Sequence, residues 1–233
     1  IVGIDNLSYG VMEQVPKDVD FFNVDIRSKD IYQIFNNIDV VFHLAAKNCI
    51  SDCQLDTVET VKINVLGTVN VFEACKKSNV KKVIYAESSA VYEGASSFPC
   101  REEDESPKSI YANSKMASRL FANTYRRFSN MNAIALRYFN VYGPRQDYRR
   151  TVPPLMSEII IKLLKKEQPT IYGNGQKRRD FIYIDDINRF HELLINHHSI
   201  LNGTYNLGVG KNYSVMEIYK IISKLLNSDI KPE

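Results

Sequence analysis

Tyr111 and Lys115 stand four residues apart in the run YANSK, and on a helix that spacing puts both side chains on one face, with Cβ atoms about 6 Å apart. A tyrosine with its ordinary pKa near ~10 is a poor base at neutral pH, and lowering that value by about three requires roughly 4 kcal/mol of differential stabilisation. A neighbouring ammonium supplies part of it. Upstream of the pair, the apolar run VIYA leads into SSAVY, so Ser88 falls at the carboxyl end of a predicted strand. There it can hydrogen-bond a substrate hydroxyl while Tyr111 removes its proton. Taken alone, Y-x-x-x-K is equally the pattern of a half-buried tyrosine beside a surface lysine.

The elements that must position these residues follow from the hydrophobic pattern. IVGID, VDFFNVD, DVVFHLAA, VKKVIYAE and NAIALRYF read as strands with helical periods between them, an alternation that predicts a parallel sheet flanked by helices. The segment from Asp56 to Lys77 reads as one helix, with Val61, Val65, Thr68, Val69 and Phe72 on one face, and Ser109 to Ser129 reads as another. The Ser-, Pro- and acid-rich stretch from Ser96 to Lys108 is predicted as a loop crossing the carboxyl ends of the strands, the edge at which open α/β sheets bind ligands. After Gly143 the pattern changes to a helix over about Val152 to Lys166, a turn at YGNGQ, a strand at DFIYI and a helix from Asp185 to about His197.

With 233 residues, 44% of them apolar, the chain can bury a sizeable core and hold one α/β domain with an appended lobe. Thirty Lys and Arg against 27 Asp and Glu give a formal charge of only +3, far from the excess of a dedicated nucleic-acid binder. Cys49, Cys53, Cys75 and Cys100 form no C-x-x-C pair and no zinc-ligand spacing, so no metal is expected and the thiols are expected to be reduced in a cytoplasmic protein. No apolar run reaches the roughly 18 residues of a membrane span, and no signal-peptide pattern opens the chain. The first residue is Ile1 rather than Met, and a leader could have preceded it.

A dinucleotide-binding sheet opens with a strand, a Gly-rich turn and a helix N-terminus that holds the pyrophosphate. No G-x-G-x-x-G occurs here; the chain opens on IVGIDN, which looks like the second strand, ending in the ribose-binding acid. The expectation is that about one βα unit lies upstream.

With these features in place, the sequence resembles the extended short-chain dehydrogenase/reductase family, and within it the UDP-hexose 4-epimerases. The resemblance spans essentially the whole chain: DN at 5 and 6, DI at 25 and 26, HLAA at 43 to 46, INVLGT at 63 to 68, SSAVY at 88 to 92, YANSK at 111 to 115, RYFNVYGPRQ at 137 to 146 and RRDFIYIDD at 178 to 186. It implies a Rossmann-like, doubly wound parallel sheet over residues 1–141, with 185–207 returning to it. A smaller C-terminal substrate-binding lobe is implied from 142–184 and 208–233, together with NAD as cofactor, a UDP-sugar as substrate and a homodimer. Members dimerise through two helices per subunit. The face of the 109–129 helix bearing Met116, Leu120 and Phe121 fits that use, and fits a core position equally.

The resemblance also implies roles residue by residue. Ser88, Tyr111 and Lys115 correspond to the catalytic set. Asp5, with Asn6, looks like the acid that takes the adenosine ribose hydroxyls and so favours NAD over NADP, while Asp25 and Ile26 look like adenine contacts. Leu44, Ala45 and Ala46 correspond to the close backbone passage beside the pyrophosphate, with Asn64, Ala86 and Tyr138 completing the cofactor set alongside Tyr111 and Lys115, whose tyrosine a charged nicotinamide ring would further acidify. Ile26, Leu44 and Ala45 are as readily core residues when read alone. Asn140 and Arg179 match nucleotide-diphosphate contacts, for which a guanidinium is suited, and Ser88, Ser89 and Val152 complete the substrate set. The neighbouring Lys177, Arg178, Arg149 and Arg150 read as a solvated basic rim.

The dehydratases of the family carry an acidic pair directly after the catalytic Thr, and the decarboxylases a Glu; here those places hold Ser89 and Ala90, which points to 4-epimerisation through a 4-keto sugar. Three departures stand out. Glu93 replaces the usual Gly after SSAVY, Glu87 replaces a small polar residue before Ser88, and Asn48 to Cys53 is atypical for a substrate-facing loop. A Glu87 facing the site would weaken the case against dehydration. The chain also ends at Glu233, before the family's late Arg and Asp contacts to UDP.

Overall fold

The computed structural model describes residues 1–150, 152–197 and 202–233, and the chain divides into two units, 1–137 with 197–206, and 138–196 with 207–233. In the first unit, β1 (Val2–Asp5) runs parallel to β2 (Asp20–Asn23), pairing Val2 with Asp20 and Asp5 with Asn23. After a single helical turn α1 (Ile31–Ile34), β3 (Val40–His43) runs parallel to β4 (Lys82–Ser88), with His43 beside Tyr85. With β5 (Ala133–Tyr138) and β8 (Gly203–Leu207) they form a sheet in the order β3-β4-β5-β8.

The parallel sheet is thus in two pieces, and among the described residues no ladder joins β1 to β3. Side chains join them instead: Ile4, Val24 and Ile26 share a core with Val41, Val71, Phe72, Val83 and Tyr85. The middle of β4 is buried on both faces, which is why its sequence is a continuous apolar run rather than an alternation. Phe72 stands edge-on between Tyr85 and Tyr125, with ring centroids 5.5 and 5.7 Å away.

The helix expected over Asp56 to Lys77 is α3 (Thr57–Val61) and α4 (Thr68–Lys77), joined by a π-helical turn at Lys62–Gly67. Asp56 caps it, accepting the Glu59 N–H at 3.1 Å. Gly67 is demanded by close approach: a Cβ there would meet Ile26 Cδ1 at 2.6 Å. A short α2 (Ile50–Leu55) precedes it, in the stretch predicted only as a loop. Helix α5 (Ile110–Ser129) matches the prediction, with Ser109 accepting the Ala112 N–H at 3.1 Å and left-handed Asn130 (φ 53°) ending it.

In the second unit, β6 (Asn140–Tyr142) lies parallel to β7 (Arg178–Tyr183), and β9 (Asn212–Ser214) antiparallel to β7. Helices α6 (Leu155–Leu164) and α8 (Val215–Leu225) enclose Ile159, Leu163, Ile171, Ile218, Tyr219 and Ile222. Helix α8 starts on a reciprocal cap between Ser214 and Glu217. Helix α7 (Ile184–Asn196) follows β7 without a break and belongs to this unit, so the return to the first unit begins at His197 rather than Asp185. Residues 198–201 of the segment expected to return lie outside the described residues. No described helix is long and apolar enough to cross a membrane.

Candidate active site

Helix α5 packs against β4 and against the turn Ser89–Tyr92 that follows it. This packing sets Tyr111 and Lys115 beside the strand end that carries Ser88. The Tyr111 residue is 9% exposed and Lys115 is 6% exposed, so the alternative of a surface lysine is gone. Lys115 Nζ donates to Ala86 O at 3.1 Å and lies 5.9 Å from the centroid of the Tyr111 ring. Ser88 Oγ accepts the Ala90 N–H at 3.2 Å, which fixes its rotamer and leaves its hydroxyl proton free to be donated elsewhere.

Burial lowers the Lys115 pKa to about 8, partly opposed by Glu87. His43, buried at the end of β3, is held neutral, its pKa lowered to about 3 by burial and by Lys115. Its Nε2 lies 2.8 Å from Thr68 Oγ1, and Thr68 Oγ1 donates to Asn64 O at 2.6 Å, so the imidazole carries its proton on Nε2.

Asn64 sits in the π-helical turn and is 1% exposed. Its side-chain oxygen accepts the Lys47 N–H at 2.8 Å, and its amide nitrogen lies 2.9 Å from both Lys47 O and Ser114 Oγ. Ser114 Oγ in turn donates to Tyr111 O at 2.7 Å. The side chain assigned as a polar cofactor contact thus ties the loop after β3 to the helix of Tyr111. The π-turn is what brings it there.

The acids that depart from the family pattern have definite partners. Glu87, 2% exposed, accepts from Arg137 Nε at 2.7 Å and does not act as a free acid. Arg137, fully buried, also donates to Tyr92 Oη at 2.7 Å, to Glu102 O at 2.6 Å and to Glu105, which takes Arg119 as well. Tyr92 Oη donates to Asn206 Oδ1 at 2.6 Å. Glu93 accepts the Ser109 N–H at 2.8 Å and its hydroxyl at 3.0 Å. The loop predicted over Ser96 to Lys108 is therefore fastened to the sheet by Arg137 and to the start of α5 by Glu93. Neither anchor carries a local sequence signal, since the partners are far apart in the chain.

The expected cofactor residues of the first unit line the carboxyl ends of its strands. Asp5 ends β1 exposed, accepting the Leu7 N–H at 2.6 Å. Asn6 donates to Asp25 at 2.9 Å, and Arg27 beside Asp25 holds its carboxyl well below the usual range. Arg27 also takes Glu59 at 2.5 Å. Ile26 packs on the core, Leu44 is 51% exposed, and Ala45, Ala46 and Ala86 are partly exposed small side chains. Tyr138, in the second unit, places its hydroxyl 2.7 Å from His191 Nε2.

Of the expected substrate residues in the second unit, Asn140 Nδ2 donates to Asp180 O at 2.8 Å, while Arg179 is exposed and donates to Arg178 O at 2.8 Å. Val152 is 54% exposed. Asp180, which the sequence does not mark, accepts the Val209 and Gly210 N–H groups at 3.0 and 2.8 Å and fixes the turn beyond β8. All four cysteines are free thiols, and no described cluster could hold a metal.

Residues 1–208 match the NAD dependent epimerase/dehydratase family. A Methanocaldococcus jannaschii protein provisionally named a UDP-glucose 4-epimerase is 34% identical over 226 residues, covering 95% of this chain and 73% of its own. The structure of a UDP-N-acetylglucosamine 4-epimerase from Methanobrevibacter ruminantium, in complex with UDP-N-acetylmuramic acid, superposes with a TM-score of 0.95 at 33% identity, over 99% of this chain and 76% of that one. The UDP-glucose 4-epimerase of Thermus thermophilus, in complex with NAD, gives 0.91 at 30% identity, over 100% of this chain and 77% of that one. Profile, sequence and fold agree: the chain belongs to the NAD-dependent epimerase/dehydratase family, an enzyme family of the extended short-chain dehydrogenase/reductase type.

Proposed function

We propose that the protein is an NAD-dependent UDP-hexose 4-epimerase that interconverts glucose and galactose nucleotides or their N-acetyl forms, with Ser88, Tyr111 and Lys115 as its catalytic set. The observation that carries this is the buried Lys115, anchored on Ala86 O at 3.1 Å beside Ser88 and one helical turn from Tyr111.

The residues present suit NAD. Asp5 offers a carboxylate to the ribose hydroxyls and repels a 2′-phosphate, and Arg27 is spent on Asp25 and Glu59 rather than offered to one. Ala45, Ala46 and Ala86 leave room for close approach along the strand ends. When bound, NAD supplies a hydride acceptor and donor for C4 of the sugar.

Tyr111 takes the C4 hydroxyl proton while Ser88 donates a hydrogen bond to the same oxygen, and Lys115 stabilises the tyrosinate. The sugar passes through a 4-keto form, and Tyr111 returns the proton after the ring has turned over. Asn140 and Arg179 are assigned to the diphosphate. Glu87, paired with Arg137, and Ser89 and Ala90 provide no extra acid or base. This favours epimerisation over dehydration or decarboxylation on the same scaffold.

We assign a homodimer as well. Val58, Val61 and Leu66 on α3 and the π-turn are 66, 46 and 54% exposed, and Leu120, Phe121 and Phe128 on α5 are 60, 39 and 76% exposed, apolar side chains that a two-helix interface would cover. The four free thiols suit the cytoplasm.

The test is purified protein with NAD and each UDP-hexose. Interconversion of C4 epimers at unchanged mass is expected; a mass change identifies a dehydratase or decarboxylase, and binding without turnover a non-catalytic protein.

A further inference from the structure

Lys115 is a buried cation hydrogen-bonded to one neutral acceptor, Ala86 O, with no ion pair among the described residues. An ammonium in such a place surrenders its proton unless a negative charge lies close by. The next residue along β4 is Glu87, also buried, on the strand against which α5 packs. Arg137 holds Glu87 Oε2 at 2.7 Å, but Oε1 is buried with no hydrogen-bond partner. A carboxylate oxygen left bare is a penalty that a core does not keep without return.

The charged and titratable groups around the pair come from every element packed on it. Arg137 comes from β5, Arg119 from α5, Glu105 from the 93–108 loop, Tyr92 from the turn after β4 and Tyr85 from β4 itself. Near Lys115 are His43 from β3 and Cys53 from α2. His43 is neutral, burial pushes the Cys53 thiol up, and burial pushes both tyrosines up. Burial pushes the Glu87 carboxyl up as well, but the Arg137 guanidinium bonded to it opposes the rise, and Glu87 does not also anchor Arg119. Glu105 already serves both Arg119 and Arg137. That leaves Glu87.

We propose that Glu87 is a positioning residue, its buried carboxylate oriented by Arg137 as the counter-charge that keeps Lys115 an ammonium behind Tyr111. The catalytic consequence rests on the epimerase assignment; the charge relation is a property of the folded chain.

The test is an NMR titration of the protein labelled with 13C at lysine Cε, the Lys115 signal being assigned by its loss in Lys115→Met. Wild type should titrate near about 8. Glu87→Gln should lower that midpoint by about one pH unit, a tenfold change in the protonation equilibrium, and Glu87→Asp should restore it. Should Glu87→Gln not fold, the double variant Glu87→Met/Arg137→Met is compared with Arg137→Met, which differs from it only by the carboxylate, and its midpoint is predicted to lie about one pH unit lower. In turnover, the alkaline limb of the kcat profile should move with the midpoint. An unchanged midpoint in the folded variant overturns the proposal. Wild type that titrates so but fails to epimerise any UDP-hexose overturns the functional assignment alone.

Discussion

Glu93 accepts both the backbone N–H and the hydroxyl of Ser109, at 2.8 and 3.0 Å. Ser109 is the cap of α5, and its own oxygen takes the Ala112 N–H, so one carboxylate holds the first turn of the helix in which Tyr111 stands. A residue that departs from the family pattern has become the anchor of the helix on which Tyr111 and Lys115 stand. Replacing it with Ala should destabilise the protein by about 1 kcal/mol, the usual worth of a capping interaction. Turnover should fall more than that loss suggests, because Tyr111 is then held less firmly. Urea unfolding and steady-state kinetics measure the two effects, and Glu93→Gln, which keeps an acceptor, should lie between Ala and wild type.

Lys115 lowers the stability of the fold in the neutral range. Its pKa is lowered from 10.5 to about 8 in the folded protein, mainly by burial. Between those values the unfolded chain binds a proton that the native state has lost, so this residue makes stability rise with pH from about 8 to 10.5. Below about 8 it imposes a constant penalty on the order of 3 kcal/mol. Lys115→Met should therefore be more stable than wild type at pH 7 by up to about that amount, and the difference should shrink towards pH 10.5. The same variant, like Tyr111→Phe, should lose roughly 10²- to 10⁴-fold in kcat. A Tyr111→Phe protein with full turnover would remove that residue from the mechanism.

The parts of this site legible in the sequence are those with a local signature. Tyr111 and Lys115 are four positions apart on a capped helix, and Ser88 ends a strand whose middle is a continuous buried apolar run. Strands β4 and β5 announce themselves because they are largely buried, and the half-buried β3 because its run is apolar. Short or edge elements do not: α1 has one turn, β9 three residues, and the helix α2 lies in a stretch of Cys, Ser and Asp. The π-turn at Lys62–Gly67 keeps helical periodicity and so reads as a plain helix, although it is what delivers Asn64 to Lys47 and Ser114. Arg137 meets Glu87 across 50 positions and Tyr92 across 45. No pattern in one sequence encodes such pairings. On α5 the choice between core and surface was open for Met116, Leu120 and Phe121, and the structure exposes Leu120 and Phe121 while Met116 is half-buried.

His43 should govern the acid side of stability. Its folded pKa is lowered from 6.5 to about 3, by burial and then by Lys115. In the window between these values the unfolded chain takes up a proton that the native imidazole refuses. Stability should therefore be lost progressively as pH falls from about 6.5 towards 3, by as much as about 4 to 5 kcal/mol from this group alone. The sign follows from linkage, since ΔG of unfolding rises with pH wherever the unfolded state binds more protons. A His43→Gln variant, which does not titrate, should show a flatter dependence over that range in denaturant midpoints. An equally steep profile in the variant would assign the acid sensitivity to other groups.

The Glu87–Arg137 pair should show strong coupling in a double-mutant cycle. Arg137→Met leaves Glu87 buried without its cation and frees the 93–108 loop from its guanidinium, and should destabilise by about 3 to 5 kcal/mol, as breaking buried pairs does. Glu87→Met should cost less, because Arg137 keeps Glu105, Tyr92 and Glu102 O as acceptors. Removing both should cost clearly less than the sum of the two, since the desolvation penalty disappears with the charges. Thermal or urea unfolding of the four proteins gives the coupling energy. Additive losses would mean that the two side chains act through separate contacts, with the loop held by Glu105 and Arg119 alone. A large coupling, combined with normal substrate affinity and reduced kcat in the folded double variant, would separate the pair's structural role from its electrostatic role.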